Sequence, residues 1–331
     1  MRLFFFPPPY PKTRSVNYNP YTDNFRNHLS EKCKVVNTKE SSSAVLNLLK
    51  HLFRFDVVVF NWIENISKKP YKELQLFLFL ICFVVIKIRK VRIVWIMHNI
   101  HPHDGENWVS RLIKKMMFKH ASLIVAHSGE AQIFAGKLAS GKVLFEHHPV
   151  NYRPKPLMVG RKKEIDVLIW GAIEPYKGIL EFVRYIATNK IQWKVKIVGR
   201  CKDPDYDKQL QEAISHCRFV SFENRRIPEE ELSQLVESSS FVVFPYLSSS
   251  VSSSGALMDT LMLRGNIIGP NKGAFKDLGI QELCFTFNTY DEICERVESN
   301  KKINYRKLEH FLRDNDWSLF VRKTLSQISN V

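Results

Sequence analysis

The stretch Phe244–Gly269, FPYLSSSVSSSGALMDTLMLRGNIIG, decides how the rest of the chain is read. The apolar run Phe241–Phe244 ends at Pro245. Six serines follow, then Gly255, a segment with apolar residues at helical spacing, Gly265 and a second apolar run, Asn266–Gly269. Strand, small-residue loop, helix, strand is the repeating unit of a parallel sheet with helices on its faces. A helix N-terminus carries unpaired N–H groups and partial positive charge. Small residues before it let the backbone approach a diphosphate, and hydroxyls add donors. Ser252, Ser253, Ser254 and Gly255 are therefore expected to cradle phosphates; a flexible serine linker is the alternative. Asp259, one turn into the helix, is placed to accept hydrogen bonds from ribose hydroxyls, or is a solvated helix residue.

Working outward, the same half holds apolar runs at Asp166–Trp170, Lys194–Val198 and Arg218–Phe222. Helical patterns lie at Gly178–Thr188, Asp205–Cys217, Pro228–Ser238 and Gly255–Arg264. The loop Trp170–Gly178, WGAIEPYKG, follows the first of these strands. Lys177 beside Gly178 is placed to meet phosphate charge as a compact cation. Arg200, after Lys194–Val198, and Arg225, after Phe222, are further cations at strand ends; Arg225 is expected near the base.

The first half alternates in the same way. Strands are expected at Arg2–Phe6, Val35–Val36, Asp56–Phe60, Arg92–Met97, Leu123–Ala126 and Lys142–Glu146. Helices are expected at Thr22–Glu31, Ser43–Phe53, Lys72–Ile86, Trp108–Phe118 and Glu130–Leu138. Residues 151–163, with Pro154, Pro156 and Gly160, read as a linker. The tail Tyr305–Ile328 reads as helical throughout. The fold class is thus α/β: two Rossmann-like domains, 1–152 and 164–312, expected to face each other across a cleft, with a C-terminal helix in 313–331. After Arg92–Met97 comes His98-Asn99-Ile100-His101-Pro102-His103-Asp104-Gly105-Glu106. Such groups at a strand's carboxyl end suit acid–base work or contacts to phosphate and sugar. Zinc is the competing reading, and the spacing offers no clear fourth ligand. The loop Pro7–Thr22 carries Tyr10, Arg14, Asn19 and Tyr21, expected with Asn99 on the acceptor side.

These residues resemble the family-4-like group of GT-B glycosyltransferases (glycosyl transferases group 1), of the bacterial surface-polysaccharide type. The resemblance covers most of the second half. It rests on Gly171, Lys177-Gly178, Ile227–Val243 leading to Pro245, Ser254-Gly255, Asp259 and Gly265, with His98-Asn99 in the first half. It implies a nucleotide-sugar donor held by the second domain and His98 against the donor sugar or its phosphate. It also implies Trp317 packing the last helix back on the first domain. If the enzyme inverts, His103 and Asp104 are the candidate bases. Two positions depart from the family pattern. Ala172 stands where the family usually has Arg, and Val251–Ser252 falls where a glutamate is associated with the sugar in retaining members. Thr260 competes with Asp259 for the acidic position.

The 331 residues carry 49 Lys+Arg against 33 Asp+Glu, a net charge of +16. That surplus suits an anionic membrane surface, phosphorylated substrates or nucleic acid. No stacking-aromatic or recognition-helix signature supports nucleic acid, and no G-x-G-x-x-G or P-loop motif is present. The six cysteines form no C-x-x-C pair. Asp203-Pro204-Asp205 and Asp314-Asn315-Asp316 spell D-x-D, but the first reads as a helix start. No metal or cofactor is expected; the nucleotide sugar is substrate. Leu76–Ile86 is too short to span a bilayer. It reads as a buried helix, or as an interfacial one held by Lys87, Arg89 and Lys90. The expected function is transfer of a hexose-type sugar to a saccharide or lipid-linked saccharide. The expected place is the cytoplasm, peripheral to the inner face of the cytoplasmic membrane. A sugar-nucleotide epimerase-like enzyme on the same scaffold and a basic nucleic-acid-binding protein are the alternatives.

Overall fold

The computed structural model describes residues 1–9, 20–41, 43–100, 107–154, 163–246 and 254–329. The chain forms two compact units, Met1–Pro149 with Trp317–Val331, and Val150–Asp316. Tyr10, Arg14, Asn19, His103, Asp104, Ser252 and Ser253 lie outside the described residues, as does most of the 151–163 stretch.

In the first unit six parallel strands run in the order β2-β1-β3-β4-β5-β6. They are β1 (Arg2–Phe6), β2 (Lys34–Val35), β3 (Val57–Asn61), β4 (Arg92–Met97), β5 (Leu123–Ala126) and β6 (Lys142–Phe145). Apart from Arg2, Asn61 and Arg92 at their ends, the central strands are apolar, because both faces of the sheet are covered. Alternate side chains face opposite ways. Phe4, Phe60 and Trp95 pack under α2 (Ala44–His51), α3 (Lys72–Ile88), α4 (Trp108–His120) and α5 (Gly129–Gly136). Leu3, Phe5 and Val59 face the other way, onto Phe25 and Leu29 of α1 (Pro20–Lys32).

The second unit has β7 (Ile165–Trp170), β8 (Val195–Val198), β9 (Val220–Glu223), β10 (Ser239–Val243), β11 (Ile267–Pro270) and β12 (Phe285–Phe287). All are parallel, in the order β12-β11-β10-β7-β8-β9. Its helices are α6 (Ile179–Thr188), α7 (Pro204–Ser215), α8 (Glu229–Ser238), α9 (Gly255–Met262), α10 (Gly273–Ile280), α11 (Tyr290–Ser299) and α12 (Tyr305–Asp314). The last helix, α13 (Trp317–Ser329), returns to the first unit, where Trp317, Phe320 and Val321 join Phe25 in the core. In an open parallel sheet, ligands bind beyond the carboxyl ends of strands where the strand order reverses. Those places are β1/β3 in the first unit and β7/β10 in the second.

Two features differ from the sequence reading. The tail is not one helix: it breaks at Asn315-Asp316, where the Asn315 carbonyl accepts from Val150 N at 3.0 Å and Asp316 Oδ2 accepts from Tyr152 N at 3.2 Å. The region of β12, α10 and α11 was also not anticipated; a three-residue strand and two short helices leave little periodicity to read. Among the described residues no helix is long and apolar enough to cross a membrane.

Candidate functional site

At the β7/β10 edge, Gly171 leaves β7 with φ of +107°, a conformation open to glycine and strained for other residues. A methyl added there would lie 3.8 Å from both the Lys177 ammonium and the Ala256 side chain. Gly171 thus brings Lys177 to the first turn of α9. A second glycine makes this crossing possible: a Cβ on Gly199 would fall 1.7 Å from the Gly171 carbonyl oxygen. The residues Pro175–Lys177 form a short 3₁₀ turn, and Gly178 caps it in the left-handed region.

Lys177 is 7% exposed. Its Nζ donates to the Ala172 carbonyl at 2.6 Å and lies 5.7 Å and 5.9 Å from the Tyr246 and Tyr176 ring centres. Among the described residues no carboxylate comes within ion-pair distance of it. Burial lowers its pKa to about 8, with Glu174 pulling weakly the other way. It is therefore still charged at pH 7, at a cost of about 3 kcal/mol set by ~1.4 kcal/mol per pH unit. A buried, unpaired ammonium beside a helix N-terminus is an arrangement for anions.

The surrounding contacts fix this geometry. Ser254 caps α9, its hydroxyl accepting from Leu257 N at 3.3 Å. Among the described residues no atom lies within 4 Å of a Cβ placed on Gly255. Trp170 Nε1 donates to Thr260 Oγ1 at 2.9 Å, and Thr260 Oγ1 donates to Ala256 O at 2.7 Å. Thr260 is fully buried with its hydroxyl engaged, so of the two acidic-position candidates only Asp259 keeps solvent contact. Protein around Asp259, and secondarily Glu229, lifts its carboxyl above the usual range. Tyr290, which no sequence pattern singles out, donates to the carbonyls of Gly178 at 3.1 Å and Pro245 at 3.3 Å, joining the two loops.

Arg200 is exposed after β8 and makes no ion pair among the described residues. Arg225, expected near the base, has its guanidinium occupied instead: Nε donates to Glu223 at 2.8 Å and Nη1 to Glu231 at 2.8 Å. Of the D-x-D pairs, Asp203 is the N-cap of α7, accepting from Asp205 N and Tyr206 N.

Near the β1/β3 edge of the first unit, His98 follows directly on β4 and is 4% exposed. Its ring stacks on Trp62 with centres 3.8 Å apart and planes 9° apart. Tyr21 meets it edge-on at 4.8 Å, and His127 lies at 5.4 Å. The Tyr21 hydroxyl and His127 Nε2 share a hydrogen bond of 2.9 Å, and His127 Nδ1 bonds the Glu146 carbonyl at 2.8 Å. Tyr21, expected to contact acceptor, is packed away at 3% exposure between Phe25, Trp317 and these imidazoles. Asn99 is partly exposed beside His98. Burial lowers His127 to about 4 and His98 well below its ordinary value. His147 and His148, which keep some solvent contact, shift the same way. All are neutral at pH 7, and Nε2 of His98 is buried with no partner among the described residues. No three His, Cys, Asp or Glu among the described residues are grouped to hold a metal ion. Trp62, with φ of +46°, and His127 are contributors the sequence reading passed over.

No protein-family model matches the sequence, and no curated protein matches it. Solved structures match over the whole chain. A structure of Anabaena Alr3699/HepE in complex with UDP-glucose has 15% identity and a TM-score of 0.65, covering 98% of this chain and 99% of its own. The apo lipopolysaccharide outer core galactosyltransferase WaaB has 11% identity and a TM-score of 0.64, covering 100% and 99%. AviGT4, a glycosyltransferase involved in avilamycin A biosynthesis, has 12% identity and a TM-score of 0.59, covering 98% and 96%. These neighbours are GT-B glycosyltransferases, and this chain shares their fold of two six-stranded Rossmann-like units.

Proposed function

We propose that the chain is a glycosyltransferase that takes a hexose-type sugar from a nucleoside-diphosphate donor. The observation that carries this reading is the Lys177 ammonium, buried with no carboxylate among the described residues at ion-pair distance and brought by Gly171 to the first turn of α9. A donor diphosphate held there would meet the helix N–H groups and the cation together. As the sugar departs, charge grows on the leaving diphosphate, and a fixed cation stabilises it more than the ground state. In this reading Ser252, Ser253 and Ser254 add hydroxyls and Gly255 leaves room. Asp259 takes the ribose, Arg200 adds long-range attraction, and Arg225 contributes only where its carboxylate partners release it.

The unpaired Nε2 of His98 is the atom offered to the sugar or its phosphate. A buried polar atom without a partner is costly, and a ligand hydroxyl or phosphate oxygen relieves that cost. Tyr21 then serves by holding the His98 and His127 rings. Tyr10, Arg14, Asn19 and Asn99 stay on the acceptor side, and His103 and Asp104 stay candidate bases should the reaction invert. A saccharide or lipid-linked saccharide at an anionic cytoplasmic membrane surface is the proposed acceptor, in surface-polysaccharide assembly.

A thermal-shift panel of UDP-, GDP- and other nucleotide sugars tests the donor. UDP-glucose is the first compound to try, because a neighbouring structure was solved with it. Ligand present at about 100 times its Kd would stabilise by about 2.7 kcal/mol. No shift with any nucleotide sugar would contradict the reading.

A further inference from the structure

The amphipathic α3 is only half used by the fold. Leu76, Phe79, Cys82, Phe83 and Ile86 enter the core, while Leu74, Phe77, Ile81, Val84 and Ile88 stay exposed. The exposed five recur at spacings of three and four, so they form one continuous stripe along the helix. Phe77 is 60% exposed and Ile88 75%. The helix α2, which packs beside α3, also exposes Leu46, Leu49 and, just past its end, Phe53. An exposed apolar stripe the length of a helix marks an interaction site.

The flank of this surface is basic. Along α4, packed on the other side of α3, Arg111, Lys115 and Lys119 recur every four residues and are all exposed. Lys87 of α3 and Lys119 of α4 both act electrostatically on His120, so the ends of these helices converge with their charges together. Lys50 and Lys90 add to the rim. Among α2, α3 and α4, Glu73 is the one exposed carboxylate. Tyr71 and Trp108, both largely exposed, precede or open α3 and α4.

We propose that the face formed by α2, α3 and α4 docks on an anionic lipid leaflet. The apolar stripe would lie at the headgroup–acyl boundary, with the α4 cations against lipid phosphates and the two aromatic rings at the polar interface. Charge selects this occupant: a second copy would bring one basic rim against another, whereas an acidic leaflet neutralises it. The inference deepens the membrane part of the proposed function and rests on that reading for its biological setting.

Flotation of the full chain with phosphatidylcholine vesicles, with and without about a third phosphatidylglycerol, tests it. Binding to the anionic vesicles alone, weakened by high salt, is expected. Phe77→Ser with Ile81→Ser, and separately Arg111→Glu with Lys115→Glu and Lys119→Glu, are each expected to weaken it by about tenfold or more. Every substituted side chain is exposed, so melting temperatures are expected to hold, and the vesicle dependence of the unaltered chain is decisive by itself. Failure of the unaltered chain to float overturns the proposal. So does equal flotation of both variants, or a dimer in light scattering that the same substitutions abolish. UDP-glucose binding measured on the same samples separates the two readings: its loss speaks against the transferase, not against the docking face.

Discussion

At the strand-order reversal of the second unit, a lysine ammonium is buried against Tyr246 and the Ala172 carbonyl. At the reversal of the first, an imidazole is buried between Trp62 and Tyr21 with a second imidazole beyond. Desolvation acts on both in the same direction, against the charged form. The outcomes differ because the starting points differ. Lysine falls from 10.5 to about 8 and keeps its proton at pH 7. Histidine falls from 6.5 to about 4 at His127 and loses it. One edge is therefore a fixed positive charge suited to a diphosphate, and the other a neutral, aromatic surface suited to hydroxyls and sugar faces.

The largest expected effect breaks the geometry that places the cation. Gly199→Ala drives a methyl into the Gly171 carbonyl, so the ends of β7 and β8 must part. A stability loss of about 2 kcal/mol or more, read by urea denaturation, is expected together with loss of UDP-glucose binding.

Acid distinguishes the two units next. A histidine whose folded pKa lies below 6.5 disfavours protonation of the fold. Its stabilising effect is whole above pH 6.5 and is lost as pH falls toward about 4, at up to ~1.4 kcal/mol per pH unit for His127. Hydrogen exchange at pH 5 is expected to rise in β3 and β4 well before β7 and β8. Simultaneous opening of both sheets would contradict the assignment.

Base acts on the other edge. Lys177 releases its proton through about pH 8, so affinity for UDP-glucose is expected to be constant below that pH. Above it, affinity falls by up to about tenfold per pH unit. A flat calorimetric profile to pH 9.5 would remove the ammonium from the diphosphate. The smallest effect is expected at Arg225, whose guanidinium is exposed and already answered by Glu223 and Glu231. Arg225→Ala is expected to change UDP-glucose affinity by less than about threefold.

Much of this was legible in the sequence. The apolar runs Ile93–Met97 and Leu123–Ala126 needed no structure to find, because a two-sided sheet demands them. The lysine–glycine pair after β7 stood out because its position in a strand–loop–helix unit fixes where it points. Contacts made across long sequence separations were hidden. Tyr21 and His127 are 106 residues apart, and only packing shows that their side chains meet. Tyr21 stood in an N-P-Y stretch that reads as a loop, yet it lies in the first turn of α1 on the core side. Arg225 looked available because Glu231, six residues on, closes over it only in three dimensions. Tyr290, joining two loops from a region of weak periodicity, left no mark at all.

Calorimetric titration of UDP-glucose into the unaltered chain and Lys177→Met, with melting temperatures on the same samples, tests the central claim most directly. Removing a buried charge that weighs against the fold below pH 8 is expected to leave melting unchanged or higher. Affinity is expected to fall by about tenfold to a hundredfold, the worth of a charge-assisted hydrogen bond. Unchanged affinity, or loss of affinity matched by an equal loss of folding, would contradict the assignment of the diphosphate to this lysine.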